Sequence, residues 1–600
     1  MTIILPKEPV VVAGIKGPVA QRLEIRDLMQ NKPMWYLFLK GLQAFQRQDA
    51  KNPRSYYAIS GIHGLPFVPY NEVVGRKLDN SEIGHVGGYC AHTSIVFATW
   101  HRPFLALFEQ ELSRSVKQEA AKMDDPSGVF KTAAEAFRLP YWDWALPKSK
   151  QPEFWPNALD TPTITVDGFP PIDPNPLATF SRKGLSINAR EKWAFSGEQT
   201  RRLPDLGDKF SEAVDARNTS VSRLLFTDSS WITFSNNGYI RSQTTDKFFS
   251  IEEVHDKIHI EVGRTMGSIT TSAFDPVFWL HHCNIDRLTA IRQAIWPRNY
   301  IDGTGEEVGR NGTNFVARTG DIQNDKTPLK PFWRTTPTAA DALSTAKYDA
   351  VFWNSQQVEN TEVFGYTYPE TFDRSAVSDV DKWASVVAAR AGKLYPAALK
   401  PKSRQANSTS PHPITSAAPT NRDPSDLIEP DNTFTDWSVN VRAIKHILSK
   451  PYQIIVFDGD FSPEPAHWTS EHNKVDTVGV LGTGSDTACA KCREDQANDQ
   501  SITGVVSLTS ALVQDYTEGR LASLKPEDVV PYLTANLHWR VLVDGVTDVP
   551  REEVPGLVVC VSSATVGFDE NGLPRYSTDH TLHPEITDGR PAGLSAGEEP

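Results

Sequence analysis

DPVFWLHHCNIDR, residues 275–287, reads as the opening of a buried helix that carries two adjacent histidines. Proline is favoured in a first helical turn, so Pro276 sets the start, and the apolar pattern continues past Ile291. Imidazoles within an apolar helix need hydrogen-bond partners or a metal. Successive helical residues point about 100° apart, so only one of His281 and His282 joins ligands arriving from elsewhere. Asp286, four residues after His282, is placed to orient an imidazole from behind, and Arg287 to balance that carboxylate. Upstream, EEVHDKIH (252–259) puts His255 and His259 on one face of a helix spanning about 250–262, with Ser250 as N-cap and Glu253 three residues on. A zinc-protease HExxH motif would need Glu where Asp256 stands.

A second histidine group lies earlier. GGYCAHTSIVFATWHRPFLALFEQEL (87–112) carries His92 and His101, nine residues apart and too far for one helical face. His92 is therefore expected from a loop, and His101 from a helix running from Thr93 to about Met123. Arg102 and Glu109 read as structural polar residues. His63, in SGIHGLPF (60–67), sits between Gly61 and Gly64 and is expected on a loop, while His85 reads as a surface residue. Eight of the 15 histidines fall between 63 and 282, and none between 283 and 411. Imidazole-only sets suit copper best among common metals, and a copper pair suggests dioxygen chemistry. A helix over 23–48 completes a four-helix bundle of the kind that holds metals between inward ligands.

Six hundred residues exceed a single core, so two or more domains are expected. A net charge of −13 argues against nucleic acid or an anionic membrane as partner. No apolar run approaches the roughly 20 residues of a membrane span. In MTIILPKEPVVVAGIKGPV, Lys7, Glu8 and Pro9 interrupt the apolar runs, so a cytoplasmic protein without a signal peptide is expected. Five cysteines are too few and odd in number for a disulfide framework. The expected organisation is a mostly α catalytic domain over 1–395, a linker over 396–428, an all-β sandwich-like domain over 429–580, and a disordered tail over 581–600. The linker is read from a polar Pro/Ser/Thr-rich run at 400–426. The β-rich domain is read from YQIIVFDG, VGVLG, TGVVSLTSALV, LHWRVLVDGV and GLVVCVSSATVGF.

In their order and spacing, IHGLPF, YCAHTSIVFATWHRPFLALFEQ, EEVHDKIH and DPVFWLHHCNIDR resemble fungal tyrosinases. These are type 3 copper proteins, a family that includes catechol oxidases and hemocyanins. The resemblance covers about 20–395 by motif and the C-terminal region more loosely. It implies one copper on His63, His92 and His101 and a second on His255, His259 and His282, with His281 behind the ligands. It also implies a thioether between Cys90 and His92. Glu252 matches a residue that holds a water beside the site. Asp256 stands where efficient tyrosinases often carry Asn, which favours diphenol oxidation, because an ionised Asp offers no donor. Tyr366 and Tyr368, in FGYTYPE, match the motif that closes the catalytic domain, with Arg26 in EIRDL as the arginine beside it. Cys489 and Cys492, in CAKC, match a pair implicated in copper loading. The β-rich domain is implied to be a lid over the copper site of a latent precursor, released by a protease at the linker, where Lys400, Lys402 and Arg404 offer tryptic sites.

The implied chemistry is o-hydroxylation of monophenols by O2 and oxidation of o-diphenols to o-quinones, of the melanin-forming type. A catechol oxidase, an o-aminophenol oxidase and a hemocyanin-like oxygen carrier are the alternatives. The implied partners are small phenols, O2, a copper donor or chaperone, an activating protease and a second copy of the chain, without nucleic acid or membrane.

Overall fold

The computed structural model describes residues 5–73, 88–183, 198–238, 249–307, 322–400, 422–485, 487 and 489–598. His85, Lys402, Arg404 and most of the expected linker lie outside these. No helix among the described residues is long and apolar enough to cross a membrane.

The helix expected over 23–48 is two, Ile25–Gln30 and α1 (Lys32–Gln46). The break is at Asn31, whose side chain accepts from Met34 N, with Pro33 in the first turn of α1. The helices that follow include α2 (Phe97–Ala120), α3 (Val214–Phe226), α4 (Ile251–Val262) and α5 (Pro276–Ile295). Ser250 caps α4 by accepting from Glu253 N, and Gly263, at φ 68°, ends it. Asp275 caps α5 by accepting from Val277 N, ahead of Pro276. The α1 backbone lies directly on α2 because Gly41 has no side chain; a Cβ there would stand 2.5 Å from Val116 Cγ2. The helical core is apolar and aromatic, with Trp100, Phe104, Phe278 and Trp279 buried around the histidines.

Behind this core lies a buried charged network that corrects three expectations. Asp286 touches no imidazole among the described contacts. It accepts from Arg102 Nε (2.6 Å), Arg22 Nη1 (3.3 Å) and the hydroxyls of Tyr366 and Tyr368 (2.6 Å each). Against the effect of burial, these partners hold its carboxyl below the ordinary range. Arg287 pairs with Glu370 (2.6 Å) and Asp143 (3.0 Å) and not with Asp286. The arginine beside the tyrosine motif is Arg22, stacked 3.5 Å over the Tyr366 ring and paired with Glu109. Arg26 instead binds Glu24, Gln151 and the Glu153 carbonyl.

The C-terminal region is two four-stranded antiparallel sheets. Its strands are β1 (Phe434–Ile444), β2 (Tyr452–Asp458), β3 (Lys474–Val480), β4 (Ser501–Ser507), β5 (Leu537–Val543), β6 (Thr547–Val549), β7 (Val558–Phe568) and β8 (Pro574–Leu582). Their orders are β4-β1-β7-β8 and β6-β5-β2-β3. The run TGVVSLTSALV is only half strand, since Thr509–Thr517 is helical. The tail expected to be disordered is ordered through residue 598. Ile586 and Leu594 are buried, and Leu594 N donates to Val559 O at 2.9 Å, so two apolar side chains fasten it to β7.

Strand β3 lies flat on α4. A Cβ on Gly479 would stand 2.9 Å from Asp256 O, and one on Gly504 would meet Val478 and Glu253. Lys257 of α4 bonds Asp476 of β3 at 2.7 Å with both side chains fully buried, and Lys474 reaches Glu261 at 3.5 Å. Arg223 of α3 pairs with Asp436 of β1 at 2.9 Å. The two regions share one apolar core.

Candidate metal centre

The helix-borne histidines converge as ligands do. His255 Nε2 and His259 Nε2 each lie 3.2 Å from His282 Nε2. A metal with bonds of about 2.0 Å to nitrogen and tetrahedral angles spaces its ligand atoms at about 3.3 Å. The other ring nitrogens fix two tautomers. His259 Nδ1 donates to Met266 O (2.7 Å), and His255 Nδ1 is bonded to Asp256 Oδ1 (2.8 Å), so both Nε2 lone pairs face the centre. His281 stacks against His255, but its Nδ1 accepts from Trp144 Nε1 (3.1 Å), leaving the proton on the other nitrogen. It therefore offers no free lone pair and sits behind the ligands, although it belongs to the same cluster of four.

The second group forms opposite. His63 comes from the turn after the short helix Tyr56–Ser60, His92 from the irregular segment before α2, and His101 from the first turns of α2. His63 Nδ1 donates to Ile269 O (3.0 Å) and His101 Nδ1 to Phe97 O (2.8 Å). The Nε2 atoms of His63 and His101, and both nitrogens of His92, are buried without a partner among the described residues. Orphaned buried acceptors on three converging rings are the mark of a metal site. Ring centroids lie 5.3–5.7 Å apart within the set, and His101 stacks on His282 at 4.6 Å, so the two groups share one chamber. Burial keeps all six imidazoles neutral in ordinary buffers, lowering His101 to about 3 and His259 to about 4. Neutral imidazole is the form that binds a metal. Cys90 belongs to a cluster with His63 and His92 whose donor atoms all lie within 4.8 Å of one another.

Glu252 and Asp256 tie these parts together. Glu252 accepts from Thr93 N (2.7 Å) and Asn237 N (3.2 Å), which fastens the His92 segment to α4. Burial raises its carboxyl to about 7, with Lys445 of the β region pulling the other way. Asp256 accepts from Asn237 Nδ2 (2.9 Å) as well as bonding His255, and burial and then Glu252 raise its carboxyl well above normal. The sequence reading missed Asn237, Trp144 and the carbonyls of Ile269 and Met266. The Phe97 carbonyl went unread as well, although its place four residues before His101 on one helix is a local signal. Cys489 and Cys492, the pair matched to copper loading, are joined as a disulfide at the start of α6 (Ala490–Ala497).

A family model described as the common central domain of tyrosinase matches residues 53–295, and one described as the tyrosinase C-terminal domain matches 436–561. The chain is 36% identical to a tyrosinase of Neurospora crassa, over 96% of each chain. The chain belongs to the tyrosinase family. A tyrosinase of Podospora anserina is 34% identical over 85% of this chain and 96% of its own. The fold is that of mushroom tyrosinase in a structure described as latent and active, with a TM-score of 0.75, 24% identity and coverage of 98% and 100%. As in other tyrosinases, the cofactor is a pair of copper ions, and the activity is copper-dependent oxidation of phenols by O2.

Proposed function

We propose that the chain is a latent tyrosinase that oxidises o-diphenols faster than it hydroxylates monophenols. In this reading one copper sits on His63, His92 and His101 and the other on His255, His259 and His282. Bound copper supplies the activation of O2 and the electron transfer. The chain's own residues hold neutral imidazoles in fixed tautomers and exclude water with the buried rings of Phe97, Phe104 and Phe278.

The observation that carries the diphenolase preference is the engagement of both Asp256 oxygens, one by His255 and one by Asn237. Both Glu252 oxygens are likewise taken by backbone N–H groups. No amide donor stands at residue 256 to orient a phenol-deprotonating water. Asp256→Asn restores one, and the ratio of tyrosine hydroxylation to 4-tert-butylcatechol oxidation should rise. An unchanged or lower ratio would mean that this residue does not set the balance.

Two finer readings accompany it. The proximity of Cys90 to His92 supports a thioether that tethers a ligand whose ring nitrogens have no hydrogen-bond partner among the described residues. A peptide spanning 88–92 should then be lighter by two hydrogens after copper loading, and Cys90 should resist alkylation in denatured holoenzyme. The docking of β3 on α4 supports the lid reading. Trypsin acting between Lys400 and Arg422 should raise catechol turnover at least about tenfold, the equivalent of about 1.4 kcal/mol. Full activity in the intact chain, without acid or detergent, contradicts latency.

A further inference from the structure

At the far edge of the second sheet, strand β6 pairs only with Val541–Val543 of β5, leaving the first half of β5 without a neighbouring strand on that side among the described residues. Arginines cover the gap. Arg540 Nη1 donates to Trp539 O (2.8 Å), and Arg590 donates to the Leu537 carbonyl and to Ile586 O. Arg590 lies 4.3 Å and Arg551 5.1 Å from the same Trp539 ring, and Arg540 lies 4.9 Å over Phe461. The three guanidiniums and His538 are mutually repulsive. After burial, Arg540 and Arg590 are the largest influences that bring Arg551 down to about 10, and the same arginines lower His538.

The charge is not balanced by protein. Asp548 and Glu552 are within electrostatic reach of Arg551, and Asp460 of His538. Nevertheless, among the described residues none of the three arginines forms an ion pair with a carboxylate. Arg551 makes no side-chain hydrogen bond to a described residue. Beneath it, the indole N–H of the fully buried Trp539 has no acceptor. The buried indole N–H, unpartnered among the described residues, is costly unless something offsets it, and three half-buried forked cations crowd the same face without a carboxylate partner among those residues. Guanidinium forks match tetrahedral oxyanions in shape and charge, and aromatic rings below them hold the forks in place.

We propose that Arg540, Arg551 and Arg590 form a binding site for a small multivalent oxyanion of the phosphate or sulfate class. It lies on the lid and is separated from α4 by strands β2 and β3. The test is isothermal titration of the full copper-loaded chain with inorganic phosphate, pyrophosphate and sulfate, each against sodium chloride at matched ionic strength. Saturable binding of at least one anion is expected, and the anion that binds identifies the phosphate or the sulfate source. The Arg551 side chain has no hydrogen bond to a described residue to lose, so Arg551→Gln should keep copper content and melting behaviour while weakening binding at least tenfold. Arg551→Lys, which keeps charge without the fork, should recover only part of the affinity. Arg590→Gln should weaken binding as well. Heat no greater than that from chloride for all three anions overturns the site. So does unchanged affinity in both glutamine variants.

Discussion

The two halves of the metal centre are built in opposite ways. His255, His259 and His282 all stand on helices, where backbone hydrogen bonds fix each Cα and two Nε2 contacts close to 3.2 Å. Of the other three, only His101 has a helix behind it; His63 and His92 hang from irregular chain and are held by long-range contacts. One half is preformed by local structure. The other is assembled by the tertiary fold, and so is more exposed to perturbation from residues that never touch copper.

The largest expected effect tests the rigid half directly. His259→Ala removes a ligand that no neighbour replaces, since His281 is committed to Trp144. Copper analysis should give one ion per chain and oxygen uptake with catechol should fall by more than about a thousandfold, the upper range for loss of an essential catalytic group. Retention of two coppers would show that His281 substitutes and that the centre is less specified than its geometry suggests. Next is Asp476→Asn, which leaves Lys257 on the ligand helix buried with Glu253 3.7 Å away and no closer anion. Breaking one side of a buried pair costs about 3–5 kcal/mol. Chemical denaturation should report it, and the intact chain should gain catechol turnover as β3 lifts from α4. Wild-type stability would mean that the lid does not lean on this helix.

Cys90→Ser probes the assembled half. Loss of a contact that steers a ligand typically costs about 10–100-fold in affinity or activity. Chelator competition should show one copper, not both, weakened by about that factor; equal weakening of the two would erase the contrast between the halves. The smallest effect is expected from Gly64→Ala. Its Cβ would stand 2.4 Å from Thr270 O, beside the Ile269 carbonyl that orients His63. Overpacking of this kind costs about 1–3 kcal/mol. A melting temperature and copper stoichiometry like the parent's would show that the His63 turn has slack.

The same contrast explains what the sequence made legible. The HxxxH spacing, the Ser250 cap and the Pro276 start are local signals, and the helical half followed from them together with the family motifs. The alternating apolar runs likewise announced the β strands. What could not be read was set by chain segments meeting at a distance. Arg26 and Arg22 lie four residues apart, Arg22 ahead of the helix and Arg26 within it, and only the fold decides which faces Tyr366. Asp286 sits at ligand-like spacing from His282, yet Arg102 and Arg22 claim it from other segments. Asn237, which joins Glu252 to Asp256, carries no motif at all. The tail beyond 580 was misread because its polar composition concealed two well-spaced apolar anchors, Ile586 and Leu594.

The bare backbone of Gly479 sets a thickness. Nothing but hydrogen separates strand β3 from the carbonyl of Asp256, the residue after His255, so the gap between the two regions is as narrow as two main chains permit. Each atom added at this one position acts as a wedge between lid and ligand helix. Alanine, serine and valine would then form a graded series in which the basal leak of the uncut chain climbs with side-chain volume. Under the lid reading proposed above, latency becomes an adjustable clearance measured in single carbon atoms, with the glycine as its lowest setting.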